Sequence, residues 1–126
     1  MSGALVGIGL DSVDIARFAR IMGRRPAVVT RLFSPGERSY ADGLANPTPS
    51  LAARFAAKEA TMKALGVGLG SFSWDEVEVE RLPGGAPALI VSGRAAELAS
   101  ERGVGRWHLS MTHTDTTASA IVVAVS

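Results

Sequence analysis

The stretch from Ser50 to Gly70 constrains the fold of this chain more than any other part of its sequence. Between Leu51 and Leu65 it contains no glycine and no proline, and alanine and other good helix formers fill most positions. Ser50 follows a proline-containing run and is a natural N-cap, while Gly66 is a natural C-terminal stop. The sequence therefore predicts a helix from Leu51 to Leu65.

The predicted helix has almost no polar face. At about 100° per residue, its large apolar side chains form one broad stripe, made by Leu51, Phe55, Met62 and Leu65. Most other positions are alanine, so we expect burial on nearly all sides. The exceptions are four charged residues: Arg54, Lys58, Glu59 and Lys63. Charges in such a helix must be paired, bind a ligand or change their pKa, which makes these four candidates for a functional site.

A glycine-containing strand is predicted near the N-terminus, from Ala4 to Leu10. Its apolar side chains point to one side, whereas Gly7 and Gly9 leave the other side bare. Paired glycines in a strand indicate that another backbone or a ligand comes very close. We expect the strand to stop at Asp11, which is suited to cap the next helix.

That next helix is predicted from about Ser12 to Gly23, and it has two distinct faces. The face expected to pack inward carries Ile15, Phe18, Ile21 and Met22. The opposite face carries a row of three arginines without interleaved acidic residues: Arg17, Arg20 and Arg24. The row is either a solvated helix face or a docking surface for an anionic partner.

The rest of the chain alternates short helices with hairpins. Residues 27–33 are a short helix or an extended piece, and Ser34 with Glu37 forms a capping box for a helix that ends near residue 42. Residues 72–81 and 87–91 predict one hairpin, and residues 106–112 and 118–125 predict a second, with a helix between them from about residue 92 to 103. The nearly continuous apolar run 118–125 predicts a central strand. The expected fold is a single α+β domain, residues 1–126, with a mainly antiparallel sheet packed against the buried Ala-rich helix.

Composition narrows the possible functions. The chain has no cysteine, which excludes disulfides, thiolate catalysis and cysteine–zinc sites. Its formal net charge is +1, so no global field favours nucleic acid or membrane, and aromatic–basic interleaving for RNA is absent. No signal sequence and no apolar run of membrane-spanning length is visible, so a cytoplasmic protein is expected.

Two carboxylates are the strongest candidates for chemistry. Asp11 lies at the end of the glycine-containing strand, and Glu59 lies in the middle of a helix of small residues. Together they could hold a hard cation such as Mg²⁺, with Lys63 one turn beyond Glu59 for a phosphate oxygen. The alternative is a helix cap at Asp11 and an ordinary Glu59–Lys63 pair. The glycine loop 66–70 follows a helix instead of preceding one, so it is a phosphate loop or only a C-cap and connector.

Two segments taken together resemble the signature motifs of the 4′-phosphopantetheinyl transferases. They are Gly7-Ile8-Gly9-Leu10-Asp11 and the run Arg54-Phe55-Ala56-Ala57-Lys58-Glu59-Ala60-Thr61-Met62-Lys63-Ala64. The spacing of the two motifs and the single-domain length are similar to the small bacterial holo-[acyl-carrier-protein] synthase type. The ending 109–114, followed by an Ala-rich strand, resembles that type as well.

The resemblance implies an activity and a set of roles. The phosphopantetheine arm of coenzyme A would be transferred to a serine of an apo acyl carrier protein in fatty acid biosynthesis, releasing adenosine 3′,5′-bisphosphate. It implies Asp11 and Glu59 as Mg²⁺ ligands and, with Lys63, as the catalytic group. The coenzyme A site it implies comprises Arg54, Lys58, Lys63, Gly66, Gly68, Ser110, Thr112 and His113. Small members form homotrimers with the active site between subunits, and Arg17, Arg20 and Arg24 would dock the acidic carrier.

One feature departs from the larger relatives, and two other functions stay open. Larger relatives carry an additional metal carboxylate in a D-x-E pattern, whereas Asp11 here is followed by Ser12 and Val13. The first alternative is another Mg²⁺-dependent phosphoryl enzyme acting on a small nucleotide. The second is a non-catalytic module that binds an acidic partner through the arginine row.

Overall fold

Residues 3–126, which the computed structural model describes, form five strands and five helices. The strands are β1 (Leu5–Asp14), β2 (Val77–Arg81), β3 (Pro87–Val91), β4 (Arg106–His113) and β5 (Thr117–Val125). The helices are α1 (Ile15–Arg24), α2 (Pro26–Leu32), α3 (Pro35–Asp42), α4 (Thr48–Leu65) and α5 (Gly93–Glu101). None of the helices in the described part of the chain is long and apolar enough to cross a membrane.

The strands form two antiparallel sheets. One sheet has the order β1-β5-β4, and the other is the β2-β3 hairpin. The apolar strand β5 is central in its sheet, as predicted, and it pairs with β1 on one side and with β4 on the other. The Ala-rich helix α4 packs across β1 and β5, and this confirms the α+β prediction.

The start of the Ala-rich helix differs from the sequence-based prediction. The helix α4 begins at Thr48 and has Pro47 at its N-cap, so Ser50 lies inside its first turn and does not cap it. Proline is well tolerated in a first helical turn, where the missing N–H has no acceptor to lose, and Pro49 therefore extends the helix. At the other end, Gly66 has φ 70° and stops α4 as predicted.

The strand β1 is longer than expected. It passes through Asp11 and ends at Asp14, whose carboxylate accepts a hydrogen bond of 2.9 Å from the backbone N–H of Arg17 and caps α1. The prediction that Asp11 ends the strand and caps the helix is wrong. Pairing with β5 continues past Asp11, and the Ser12 and Ser119 hydroxyls lie 2.8 Å apart across the two strands.

The region before the hairpin also differs from prediction. A 3₁₀ turn at Trp74–Glu76 precedes β2, which begins only at Val77. The backbone N–H of Ser73 donates to the Glu76 carboxylate at 2.7 Å and favours this turn over an extended strand. The capping box at Ser34 and Glu37 is formed as predicted, and residues 26–32 are helical.

The glycines of β1 face α4 and allow a very close contact between the two backbones. A Cβ atom built on Gly7 would lie 1.9 Å from the carbonyl oxygen of Ala64, and one built on Gly9 would lie 1.8 Å from that of Ala60. No side chain fits in that space. The predicted close approach at this strand is therefore confirmed, and the approaching backbone is that of α4.

The other face of the β1-β5-β4 sheet is open. Because side chains alternate along a strand, residues out of phase with the glycines point away from α4. Ile8 and Leu10 are 57% and 61% exposed, and Ile121, which pairs with Leu10, is 36% exposed. Ser110 and Thr112 of β4 lie on this same face, beside Ile121 and Ser119. We call this surface the open sheet face.

Candidate functional site

The carboxylates of Asp11 and Glu59 meet where β1 crosses α4. Asp11 is in phase with Gly7 and Gly9 along β1, so its side chain points toward the helix. Glu59 directly precedes Ala60, whose carbonyl is the point of close approach to Gly9. The glycines thus bring together two acidic side chains that are far apart in the sequence. The side chain of Asp11 is only 12% exposed.

The charges at this crossing are unbalanced toward the negative. Partial burial, and then the neighbouring negative charge of Asp11, raise the pKa of Glu59 above its ordinary value. Lys63 opposes that shift. Its ammonium donates hydrogen bonds to the Asp11 carboxylate at 3.0 Å and to the Leu10 carbonyl at 2.9 Å. A second positive charge would relieve the repulsion that remains between the two carboxylates.

The donor set fits a hard cation. Two adjacent carboxylates offer oxygen ligands, and Mg²⁺ is ordinarily bound by one or two carboxylates together with waters and substrate phosphates. Within residues 3–126, no group of three or more acidic, histidine or cysteine side chains is arranged to hold a metal ion. Substrate oxygens and water would therefore complete the coordination, in agreement with the lack of a D-x-E pattern after Asp11.

Glu59 lies on the border between two cavities. The larger has a volume of about 490 Å³ and is lined by Asp11, Ser12, Val13, Asp14, Arg17, Phe18, Ile21, Phe55 and Glu59. The smaller has a volume of about 260 Å³ and is lined by Phe55, Glu59, Met62, Lys63, Val67, Leu69 and Trp74. We call them the α1 cavity and the loop cavity. Phe55 and Glu59 line both cavities, so the Glu59 side chain can be reached from two directions.

An aromatic row runs beside the carboxylate pair. The ring of Phe55 stacks on Trp74 with centroids 5.2 Å apart, and it contacts Phe18 with centroids 5.7 Å apart. Phe18 belongs to the α1 cavity and Trp74 to the loop cavity. The sequence pattern predicts only core positions for Phe18 and Phe55 and gives no indication of a role for Trp74. Phe55 lies one helical turn before Glu59, on the same side of the helix, and this spacing indicates that Phe55 lies beside the carboxylate.

The arginine row lies beside the α1 cavity. Arg17, Arg20 and Arg24 are exposed, and Arg17 lines the cavity together with both carboxylates. The ion pairs found within residues 3–126 involve other cations, namely Lys58, Lys63 and Arg94. The row therefore presents positive charge at one entrance to the carboxylate pair.

Comparison with known proteins places the chain in a family. The chain matches the model of the 4′-phosphopantetheinyl transferase superfamily over residues 7–123. The chain belongs to this superfamily. It is 55% identical over 117 residues to the holo-[acyl-carrier-protein] synthase of Clavibacter sepedonicus, a match that covers 93% of this chain and 92% of that protein.

Solved structures agree with that assignment. The holo-[acyl-carrier-protein] synthase of Neisseria meningitidis has a TM-score of 0.87 and 33% identity, covering 95% of this chain and 98% of that one. The holo-(acyl-carrier-protein) synthase of Bacillus anthracis in complex with CoA (3′,5′-ADP) has a TM-score of 0.81 and 34% identity, covering 97% of each chain. The predicted family, its holo-[acyl-carrier-protein] synthase type and the predicted fold are thus confirmed, and the chain is an enzyme of this transferase superfamily.

Lys58 of this phosphopantetheinyl transferase does not have the surroundings of a phosphate ligand. Its side chain is fully buried, and its ammonium donates to the Glu37 carboxylate at 2.7 Å, to the Trp74 carbonyl at 3.1 Å and to the Val77 carbonyl. Three partners use all three donors of an ammonium. Burial lowers the pKa of Lys58, and the Glu37 carboxylate opposes that shift. The phosphate role implied for Lys58 is therefore corrected to an internal ion pair.

Arg54 lies on another side of the transferase helix. It is 1% exposed, its guanidinium lies 4.5 Å from the centre of the Tyr40 ring, and it donates to the Ser50 side chain. It lines a third cavity of about 300 Å³ with Tyr40, Glu78 and Arg81, among others. Neither Asp11 nor Glu59 lines that cavity, so Arg54 is separated from the carboxylate pair of its own chain.

The remaining residues implied by the family lie in three places. Gly66 and Gly68 are exposed in the loop whose Val67 and Leu69 line the loop cavity, next to Lys63. Ser110 and Thr112 lie on the open sheet face, on the opposite side of the sheet from Glu59. His113 is exposed at the end of β4. The structure thus brings the loop to the carboxylate pair, but not Ser110 or Thr112 of the same chain.

Proposed function

We propose that this protein is a holo-[acyl-carrier-protein] synthase. It transfers the 4′-phosphopantetheine group of coenzyme A to a serine of an apo acyl carrier protein and releases adenosine 3′,5′-bisphosphate. The observation that carries the proposal is the Asp11–Glu59 pair, with Lys63 beside it, at the border of two cavities. Relatives of this family are named for the activity, and the Bacillus anthracis enzyme is in complex with CoA (3′,5′-ADP).

The reaction needs neutralised charge and good alignment more than covalent help from the protein. The serine oxygen of the carrier forms a bond to the phosphorus that bears the pantetheine arm, and the bond from that phosphorus to the oxygen of the nucleotide phosphate breaks. The serine loses its proton, for which the Glu59 carboxylate at the border of the two cavities is a suitable acceptor. Mg²⁺, when bound by Asp11 and Glu59, would neutralise the diphosphate charge.

The residues around the pair have separate tasks. Lys63 is 55% exposed in its side chain and lines the loop cavity, so its ammonium can turn from Asp11 to a substrate phosphate. The loop 66–70 borders the same cavity, which suits the nucleotide half of coenzyme A. The carrier then approaches from the α1 cavity, on the other side of Glu59.

The arginine row is suited to dock the carrier. Acyl carrier proteins are acidic, and Arg17, Arg20 and Arg24 form an exposed basic row that begins at the α1 cavity. Contacts of this kind lose strength as salt screens the charges. Reversal of one charge, as in Arg20→Glu, is expected to raise KM for the carrier by about fivefold or more and to leave KM for coenzyme A nearly unchanged.

The open sheet face supports a homotrimer with sites between subunits. Its exposed Ile8, Leu10 and Ile121 form an apolar patch of the kind that marks protein contacts. Ser110 and Thr112 lie on this face, so they can serve a carboxylate pair only in a neighbouring copy. We further propose that the protein acts in the cytoplasm, in fatty acid biosynthesis.

Mass spectrometry of the carrier tests the function. An apo acyl carrier protein is incubated with this protein, coenzyme A and Mg²⁺, and the carrier is expected to gain the mass of one phosphopantetheine. Glu59→Gln, with the fold verified by circular dichroism, should leave the carrier unmodified. No mass gain across fatty-acid and polyketide carriers would refute the proposal. Turnover of a nucleotide without any carrier would instead favour a phosphoryl enzyme of another kind.

A further inference from the structure

Lys58 connects three parts of the structure, although it directly precedes Glu59. Its side chain is 0% exposed and points away from the carboxylate pair, into the core. One of its hydrogen bonds reaches Glu37 in α3, and two reach the backbone carbonyls of Trp74 and Val77 before and at the start of β2. A buried ammonium with three fixed acceptors holds them in one arrangement, because any lost partner leaves a charge unsatisfied.

Glu37 is itself held firmly. Its carboxylate accepts from the backbone N–H of Ser34 at 3.0 Å, within the capping box of α3, and from the backbone N–H of Val79 at 3.0 Å. Like Lys58, its side chain is 0% exposed. The ion pair therefore has a rigid base on α3 and β2, and Lys58 does not move freely against Trp74.

The carbonyl that Lys58 holds belongs to a residue of the loop cavity. Trp74 lines this cavity with Lys63 and Glu59, and its indole stacks on Phe55. Trp74 is half-buried and lies in the short 3₁₀ turn before β2. The hydrogen bond of 3.1 Å from Lys58 to its carbonyl thus fixes the distance between the wall of the cavity and the helix that carries Glu59.

We propose that Lys58 is a positioning residue for the donor substrate: through the Trp74 carbonyl it sets the wall of the loop cavity, and it does not contact phosphate. The inference rests on the proposed function, in which coenzyme A occupies that cavity. It accounts for a lysine next to Glu59 in the motif without giving it a ligand.

The test needs a variant that removes the hydrogen bond but not the fold. Lys58→Met alone leaves the buried Glu37 carboxylate without its counter-charge, and that variant is expected to be badly destabilised. The double variant Lys58→Met/Glu37→Gln removes both charges, and the new amide keeps one oxygen for the backbone N–H of Ser34, while the backbone N–H of Val79 loses its acceptor. Val122→Ala is the control, because Val122 is fully buried under α4 and its packing cluster does not include Trp74.

Steady-state kinetics test the proposal by comparing the change in KM for coenzyme A with the change in KM for the carrier. The double variant is expected to raise KM for coenzyme A by about fivefold to tenfold, which corresponds to the net contribution of one ordinary hydrogen bond. KM for the carrier should stay within about twofold of its original value, since neither Lys58 nor Trp74 lines the α1 cavity. An unchanged KM for coenzyme A, or an equal rise in Val122→Ala, would overturn the inference.

Tryptophan fluorescence tests whether Lys58 holds Trp74 in the wall of the loop cavity, and it needs no transfer reaction. The chain has two tryptophans, so Trp107→Phe leaves Trp74 as the reporter. In that background the double variant is expected to shift the emission of Trp74 to longer wavelength, whereas Val122→Ala should not. Equal emission in the two proteins refutes the inference even if transfer is normal. If the original protein neither bound coenzyme A nor modified a carrier, the proposed function would be refuted instead, while a shift in the double variant would still support the role of Lys58 at Trp74.

Discussion

Replacement of Gly9 by alanine is the most informative single test of how the contact between β1 and α4 holds the site. The new Cβ would lie 1.8 Å from the carbonyl oxygen of Ala60, 2.7 Å from its carbonyl carbon and 2.9 Å from the amide nitrogen of Ala64. All three atoms belong to the backbone of α4, so no side chain can rotate away. Gly9→Ala is possible only if β1 and α4 move apart.

The size of the effect follows from that geometry. A carbon and an oxygen that are not bonded stay more than about 3 Å apart, so the two elements must separate by about 1 Å or more. Overpacking of a tight core costs about 1–3 kcal/mol and sometimes more. For a domain of this size that lowers Tm by roughly 4–15 °C. The same displacement moves Glu59 away from Asp11, and misplacement of about 1 Å in a site can reduce the rate about 100-fold.

Thermal unfolding and the transfer assay together test this reasoning. Gly84→Ala is the matched control, because a Cβ built on Gly84 meets nothing within 4 Å. Gly9→Ala should lose stability and most of its transfer rate, and Gly84→Ala should lose neither. If Gly9→Ala unfolds at the temperature of the original protein and transfers phosphopantetheine at the same rate, the close approach of β1 and α4 does not hold the site.

The charges and the open sheet face give three more predictions. Because the folded state raises the pKa of Glu59, its ionisation destabilises the metal-free protein as pH rises through that pKa. Glu59→Gln should therefore raise the Tm of the metal-free protein at pH 7, while transfer is lost. An unchanged or lower Tm would contradict this prediction. Leu10→Asp places a charge on the open sheet face and should reduce the proposed trimer to monomers in native mass spectrometry; an intact trimer would exclude this face as the interface. Transfer to the carrier should weaken with added salt in the original protein but much less in Arg20→Glu, and equal salt dependence would count against docking on the arginine row.

Much of the fold follows from local patterns in the sequence. The uninterrupted run of helix formers predicted α4, and Gly7 with Gly9 predicted the close approach at β1. These predictions succeeded because each depends on residues that are neighbours in the chain. The same local reasoning misplaces the start of α4, because a proline ordinarily indicates a helix break, whereas Pro49 lies within the first turn, where proline is tolerated.

The site residues can be predicted from the sequence where a motif, or the alternation of side chains along a strand or helix, determines their direction. The sequence predicts Asp11 and Glu59 as a pair, but it also predicts that β1 ends at Asp11. The strand continues instead, because its pairing with β5 extends to Asp14 and because the Asp11 carboxylate forms an ion pair with Lys63. A sequence pattern gives the direction of a side chain, but it does not say how far a strand runs after its last apolar residue.

Lys58 shows what sequence patterns cannot supply. Its position on the helical wheel puts a charged residue among apolar ones. Binding of a ligand phosphate and pairing with an internal carboxylate explain such a charge equally well. The partner is Glu37, which lies in another helix 21 positions earlier and was assigned only to a capping box. Only the packing of α3 against α4 distinguishes the two explanations. The same holds for Ser110 and Thr112, whose side of the sheet depends on the register of β4 with β5.

The central claim is that Asp11 and Glu59 act as one cation site for phosphopantetheine transfer. The measurement that tests it most directly is the transfer rate as a function of Mg²⁺ concentration for Asp11→Asn, Glu59→Gln and the double variant. Residues that act as a unit are strongly non-additive, so the double variant should be little worse than either single variant. Each single variant should lose most of the rate and need much more Mg²⁺. A folded Glu59→Gln protein that transfers at the original rate and Mg²⁺ requirement, or losses that simply add in the double variant, would contradict the claim.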